Sequence, residues 1–149
     1  MMTLSEIANA LHLSVGPTII ISACGLLMLS MTNRLGRAID RSRVLARERS
    51  TGTGEFQANV DQQLEIIRYR CRLMRGAILG ASACIFFTVL LILLLFVFAA
   101  TKFEAAWIIA AVFAVSMGAL LLAVIYFMRD IFKSLEAMEA EVEHSLRKR

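Results

Sequence analysis

Three long intervals of the chain carry no charged residue: Ile7 to Asn33, Gly76 to Thr101 and Ala105 to Met128. Each exceeds the roughly 20 residues that a helix needs to cross about 30 Å of hydrocarbon. Lipid offers the backbone no hydrogen-bond partners, so a segment crossing it is either a helix or part of a closed barrel. The pattern predicts an all-α integral membrane protein with transmembrane helices at 14–33, 76–101 and 105–128. Residues 1–13 read as an external amphipathic segment. Thr3 and Glu6 have the spacing of a capping box, and Leu4, Ile7, Ala8 and Leu11 share one helix face. Gly16-Pro17 would then let the chain bend before the first span, with Pro17 tolerated in the opening turn.

The helical rhythm does not stop where the charges begin. After Asn33, the positions Leu35, Ala38, Ile39, Ser42 and Leu45 keep a small or apolar face, while Arg34, Arg37, Asp40, Arg41 and Arg43 cover the others. Ser50-Thr51-Gly52-Thr53-Gly54 breaks the pattern with glycines and no apolar residue. A second helix starts near Glu55, and its apolar row Phe56, Val60, Leu64, Ile67, Cys71, Met74 and Ile78 runs into the second span. Residues 34–75 are therefore expected to form a cytoplasmic helical hairpin that continues two transmembrane helices, not a separate soluble domain. Thr101-Lys102-Phe103-Glu104 leaves room only for a turn. Residues 129–149 read as a cytoplasmic amphipathic helix with Ile131, Leu135, Met138, Val142 and Leu146 on one face. Its acidic residues Glu136, Glu139, Glu141 and Glu143 are expected to meet the arginine-rich hairpin.

Small residues recur at helical spacing inside the spans. On the first, Thr18, Ser22, Gly25, Leu29, Thr32 and Gly36 line one face, with Leu29 the one large apolar member. Lipid does not call for such a face, so it must meet protein or water. One reading is close helix packing. The other is a hydrated pathway in an oligomer, with Leu29 as a constriction. Gly76, Gly80, Cys84 and Thr88 form a ladder on the second span, and Ala106, Ala110, Ala114 and Gly118 form one on the third. One ladder is expected to pack within the hairpin of the second and third spans, the other against the first helix or a neighbouring subunit.

Composition agrees with a membrane protein: 58% of residues are hydrophobic and there is one proline. Fifteen of the sixteen Lys and Arg residues lie in 34–75 and 129–149, and Lys102 is the exception. The positive-inside rule then puts the N-terminus outside and the C-terminus in the cytoplasm. A signal peptide has its basic residues before the apolar run; here Glu6 precedes and the arginines follow. The net charge of +4 reflects this bias, and no aromatic residues interleave with the arginines as a nucleic-acid platform would require. The cysteines Cys24, Cys71 and Cys84 lack metal or redox spacing and read as small packing residues.

The segment Thr32-Asn33-Arg34-Leu35-Gly36-Arg37-Ala38-Ile39-Asp40-Arg41 ends the first span as T-N-R-L-x-R-x-x-D-R. With the helical stretch and apolar hairpin that follow, it resembles the bacterial membrane family catalogued as domain of unknown function 2721. The resemblance covers about 14–128, and the arginines from Arg68 to Arg75 share it. It implies a multi-pass protein of a bacterial inner membrane and no established activity.

No catalytic residues, metal site or cofactor are expected, and the chain is not expected to be an enzyme. His12 and His144 fall on opposite sides of the membrane in the predicted topology, and no catalytic motif occurs. No charge lies deep in a span, which speaks against a proton-coupled carrier. Two sets of candidates remain. Thr18, Ser22, Gly25, Leu29, Thr32 and Asn33 are the pore-lining candidates. Arg34, Arg37 and Arg41 share a face; they read either as an anchor that binds lipid phosphates and pairs with Asp40, or as an arginine ring that concentrates anions at a pore mouth. The expected partners are membrane lipids, other copies of the chain in a homo-oligomer, and an ion, with no nucleic acid. The leading expectation is an oligomeric, channel-like protein lined by the first helix. Its alternative is an accessory subunit that binds another membrane complex through the cytoplasmic helices.

Overall fold

The computed structural model describes residues 4–51, 55–101 and 106–147, with side chains described except at 4–7, 10, 51, 55, 56, 59 and 136–147. The described residues form three α-helices and no strand: α1 (Leu4–Thr51), α2 (Glu55–Thr101) and α3 (Ala106–Arg147). All three are long and apolar enough to cross a membrane. At 1.5 Å per residue, the 48 residues of α1 reach about 70 Å, more than twice the hydrocarbon thickness. Each apolar stretch therefore continues as helix well past any membrane surface.

Gly16-Pro17, where the sequence allows a bend, lies within a continuous helix. α1 starts at Leu4 and passes through Pro17 without interruption. Proline costs a helix one backbone hydrogen bond, and the next residue adds a local one: the Thr18 hydroxyl donates to the Ser14 carbonyl at 2.8 Å. Residues 8–13 thus belong to the same helix as the first span, and Thr3 lies outside the described residues. Ser50 and Thr51, the first residues of the expected break, still belong to α1, and α2 is described from Glu55. The Gly52–Gly54 segment and the turn at 102–105 lie outside the described residues.

The chain divides into two compact units, and each helix contributes to both. The first unit holds the chain up to Leu29 together with Leu79–Ala123. Its buried residues are mostly small or polar: Ser14 and Cys24 from α1, Ala81, Cys84 and Thr88 from α2, and Ser116 and Ala123 from α3, with Leu91 of α2 the large apolar member. Gly80 sets how closely α2 and α3 approach. A Cβ at Gly80 would sit 3.0 Å from Ala123 Cβ and 3.1 Å from the Ala119 carbonyl oxygen. A hydroxyl and thiol chain joins the helices further along. Cys24 Sγ lies 3.6 Å from Cys84 Sγ, Cys84 Sγ 3.4 Å from Ser116 Oγ, and Thr88 Oγ1 2.7 Å from Ser116 Oγ. The Cys84 carbonyl lies within reach of both hydroxyls, 2.8 Å from Thr88 Oγ1 and 3.2 Å from Ser116 Oγ, so one can donate to it and the other to its neighbour where water is absent. The ladder of the second span therefore packs within the hairpin, as expected.

The second unit holds Ser30–Ile78 together with the chain from Val124 onward. Met31 and Leu45 of α1 and Val60, Leu73, Met74 and Ala77 of α2 are its buried apolar residues. Gly76 lets the Tyr126 ring approach to 3.4 Å of where a Cβ would stand. Asp130 of α3 is fully buried in the same unit. Leu135 of the apolar row expected on α3 is exposed; Met138, Val142, Leu146 and the acidic side chains expected to meet the hairpin lie outside the described residues.

Most of the apolar surface faces outward. At most 17% of the most apolar stretch of any helix is buried inside the chain. Lipid or another protein surface must cover the rest, since exposed apolar area on this scale is not stable in water.

Candidate functional site

Asp130 organises the polar unit. Its carboxylate has no exposure, and a buried charge is stable only when paired and hydrogen-bonded. Arg70 Nε of α2 donates to Asp130 Oδ1 at 3.2 Å. Arg34 Nε of α1 lies 3.5 Å from Oδ2 in an ion pair, without the geometry of a hydrogen bond. One carboxylate from α3 thus links an arginine from each of the other helices. The Arg34 guanidinium also stands 5.6 Å from the centroid of the Phe127 ring, within cation–π range.

Beside this triad lies a cleft of about 280 Å³ lined by Arg34, Arg37, Arg41, Arg70 and Ser134, with Ala38 and Ile67 on its wall. The three arginines expected to act together are therefore in one place, joined by Arg70 and Ser134. Asp40, the expected partner of those arginines, instead lies 3.7 Å from Arg43, and both are largely exposed. Arg37 and Arg43 are both three residues from Asp40, and the acid precedes the base in the pair that forms, the orientation that suits a helix better, while Arg34 reaches a carboxylate on α3. A second, wider cleft of about 770 Å³ is lined by residues including Arg49, Asp61, Glu65, Arg68 and Cys71. Arg49 and Asp61 close one side of it with an ion pair at 2.7 Å.

The pore-lining candidates are placed differently. Thr18, Ser22, Gly25, Leu29, Thr32 and Asn33 are all exposed, and Gly25 and Gly36 have no atom within contact of a would-be Cβ. The buried positions of α1 include Cys24 and Met31, one residue before Gly25 and Thr32. One residue is about 100° around a helix, so the stripe faces away from the chain's own core. Two of its hydroxyls are spent locally, Thr18 on the Ser14 carbonyl and Ser22 on the Thr18 carbonyl. The ladder of the third span, Ala106, Ala110, Ala114 and Gly118, is likewise exposed.

Asp130, Arg70 and Ser134 are the residues that sequence reasoning missed. Asp130 falls two positions beyond the charge-free interval and looks like an ordinary boundary charge. A signal was present: Ser116, Ala123 and Asp130 are seven residues apart and all three are buried, which is the spacing of a helix seam. Among the described residues, no three His, Cys, Asp or Glu side chains come together as a metal site.

Three membrane-length helices tied at one polar level by an Arg–Asp–Arg cluster define a small multi-pass α-helical membrane protein. Residues 14–140 match the family model described as Protein of unknown function (DUF2721), and the chain belongs to that family. No curated protein and no solved structure matches it.

Proposed function

We propose that this chain is a subunit of a homo-oligomeric membrane assembly, and that the small-residue stripe of α1 is the surface through which copies meet. The observation that carries this reading is the outward direction of Thr18, Ser22, Gly25 and Thr32 while the chain's own packing uses the neighbouring face. Small residues in a spanning helix allow close backbone approach, and that approach is rewarded by dispersion contacts with another helix. The exposed ladder Ala106, Ala110, Ala114 and Gly118 on α3 supplies a second such face, as a ring or larger array would use. The hydroxyls of Thr18 and Ser22 already bond to their own helix, so the stripe does not depend on water. This favours a dry contact face over a pore lining.

The orientation belongs to the same proposal. With fifteen of sixteen Lys and Arg in 34–75 and 129–149, the basic polar unit faces the cytoplasm and the N-terminus lies outside. The family resemblance points to the inner membrane of a bacterium as the host bilayer.

The test is native mass spectrometry of the protein from mild detergent, beside a Gly25→Leu variant. The expected result is a defined oligomer for the natural chain and a shift toward single chains for the variant. A natural chain that is monomeric in detergent and in nanodiscs overturns the proposal. Ion flux through proteoliposomes that the Gly25→Leu change abolishes would make the stripe a pore lining.

A further inference from the structure

Four guanidinium groups and a serine from three helices surround a cleft of about 280 Å³. Two of the four, Arg34 and Arg70, turn their Nε atoms toward Asp130, Arg70 through a hydrogen bond and Arg34 through an ion pair at 3.5 Å. Arg37 and Arg41 pair with no acid among the described residues. Among the described residues one buried carboxylate faces these four cations, so an anion entering the cleft would relieve their mutual repulsion. The volume equals about nine water molecules at ~30 Å³ each, which is room for a tetrahedral oxyanion and part of an ester substituent. Guanidinium forks match phosphate oxygens in bidentate geometry, and the Ser134 hydroxyl adds a neutral donor.

We propose that this cleft is a phosphate site, in which Arg37 and Arg41 hold the anion and Asp130 positions Arg34 and Arg70 beside it. Asp130 does not touch the ligand; it holds two arginines that would otherwise be free to turn into solvent. The occupant is a phosphate mono- or diester. Arg34 immediately follows the charge-free interval of α1, and Asp130 comes two residues after that of α3. The cleft therefore lies at the level of lipid headgroups, and a phosphodiester lipid is the source this placement favours. That choice of source rests on the membrane reading; the phosphate chemistry and the number of subunits do not depend on each other.

The experiment compares the natural protein with Arg37→Gln/Arg41→Gln and with a control, Arg43→Gln/Arg47→Gln, whose arginines are exposed and outside the cleft. The side chains of Arg37 and Arg41 are exposed, so the double variant is expected to fold, which size-exclusion and circular dichroism check. Two probes are used. The first is retention of phosphatidylglycerol against phosphatidylcholine in native mass spectra, scored per chain. The second is the rise in unfolding temperature with inorganic phosphate against chloride at equal ionic strength. The expected result is one retained phosphatidylglycerol per chain, reduced roughly tenfold or more in the cleft variant and unchanged in the control, as the loss of two charge-assisted contacts implies. A phosphate-dependent thermal shift without lipid retention, lost in the cleft variant, supports the site with a soluble phosphate as its occupant. Equal loss in both double variants means diffuse surface charge and overturns the proposal, as does a cleft variant that binds like the natural chain or a natural chain that binds neither probe. Because retention is scored per chain, failure here leaves the oligomer reading standing, and a monomer that binds lipid leaves this one standing.

Discussion

Arg70 Nε donates to Asp130 Oδ1 at 3.2 Å, across sixty positions of sequence, and the carboxylate that receives it is fully buried. The side chain of Arg70 is 21% exposed and that of Arg34 26%, against none for Asp130. Burial of the acid makes its pairing obligatory, because an uncompensated buried charge costs far more than the pair gains.

Asp130→Asn keeps the shape and removes the charge. Breaking a buried pair typically costs 3–5 kcal/mol; partial exposure of both arginines reduces this to about 2–3 kcal/mol. Unfolding of the purified protein in mixed micelles of rising SDS content measures it. Arg70→Gln is expected to cost less by itself, and Asp130→Asn combined with Arg70→Gln less than the sum, with a coupling of about 0.5–3 kcal/mol. Simple additivity would mean that the two residues act independently.

Gly80 and Gly25 make opposite predictions for the same substitution. A side chain at Gly80 meets Ala123 Cβ and the Ala119 carbonyl within 3.1 Å, and backbone does not yield as a flexible side chain does. Gly80→Leu is expected to lower the stability of the single chain by about 1–3 kcal/mol, the usual range for overpacking. A side chain at Gly25 meets nothing within 4 Å. Gly25→Leu should leave the unfolding of the single chain unchanged and act on oligomer size alone. Equal destabilisation of the single chain by both substitutions would show that Gly25 has a contact inside the chain.

Cys24 and Cys84 offer a direct check on how α1 lies against α2. Their sulfurs are 3.6 Å apart, and both thiols are buried. An added membrane-permeant oxidant should join them, each thiol losing one hydrogen as the oxidant is reduced, with a mass decrease of about 2 Da for one bond. The product is expected within one chain, in the natural protein and not in Cys24→Ser. Cys71 is only half-buried and pairs with neither. A Cys71 disulfide between chains as the dominant product would contradict this packing.

The large features of the fold were legible because lipid imposes simple rules. Charge-free intervals longer than a bilayer crossing, a Gly-rich break at 52–54 and apolar rows that continue past Asn33 and before Gly76 give three long helices from local information alone. Pro17 marks a place where the sequence allows a bend, and the helix on either side carries the chain through its lost hydrogen bond. The arginine cleft was half legible. Arg34, Arg37 and Arg41 share a face by helical period, but no period joins Arg34 to Asp130, since that pairing depends on how α1 meets α3. The stripe of α1 shows the same limit. Its composition says that it does not need lipid; it does not say that Cys24 and Met31, one step around the helix, are the residues that face the chain's own core.

The proposed orientation can be tested without knowing any activity. In a Cys71→Ser background, which leaves the two buried thiols, a new cysteine is placed at Asn9 or at Gln62, both exposed. The charge-free interval from Ile7 to Asn33 is longer than a crossing requires, so Asn9 is expected to clear the hydrocarbon. Gln62 lies in the basic region between Arg34 and Arg75, where the arginines crowd on the side that positive charge favours. A membrane-impermeant maleimide applied to intact spheroplasts is expected to label Asn9→Cys and not Gln62→Cys. Inverted vesicles are expected to give the opposite result. Labelling of Gln62→Cys in sealed spheroplasts would turn the protein over, and would move the arginine cleft from the inner leaflet to the outer one.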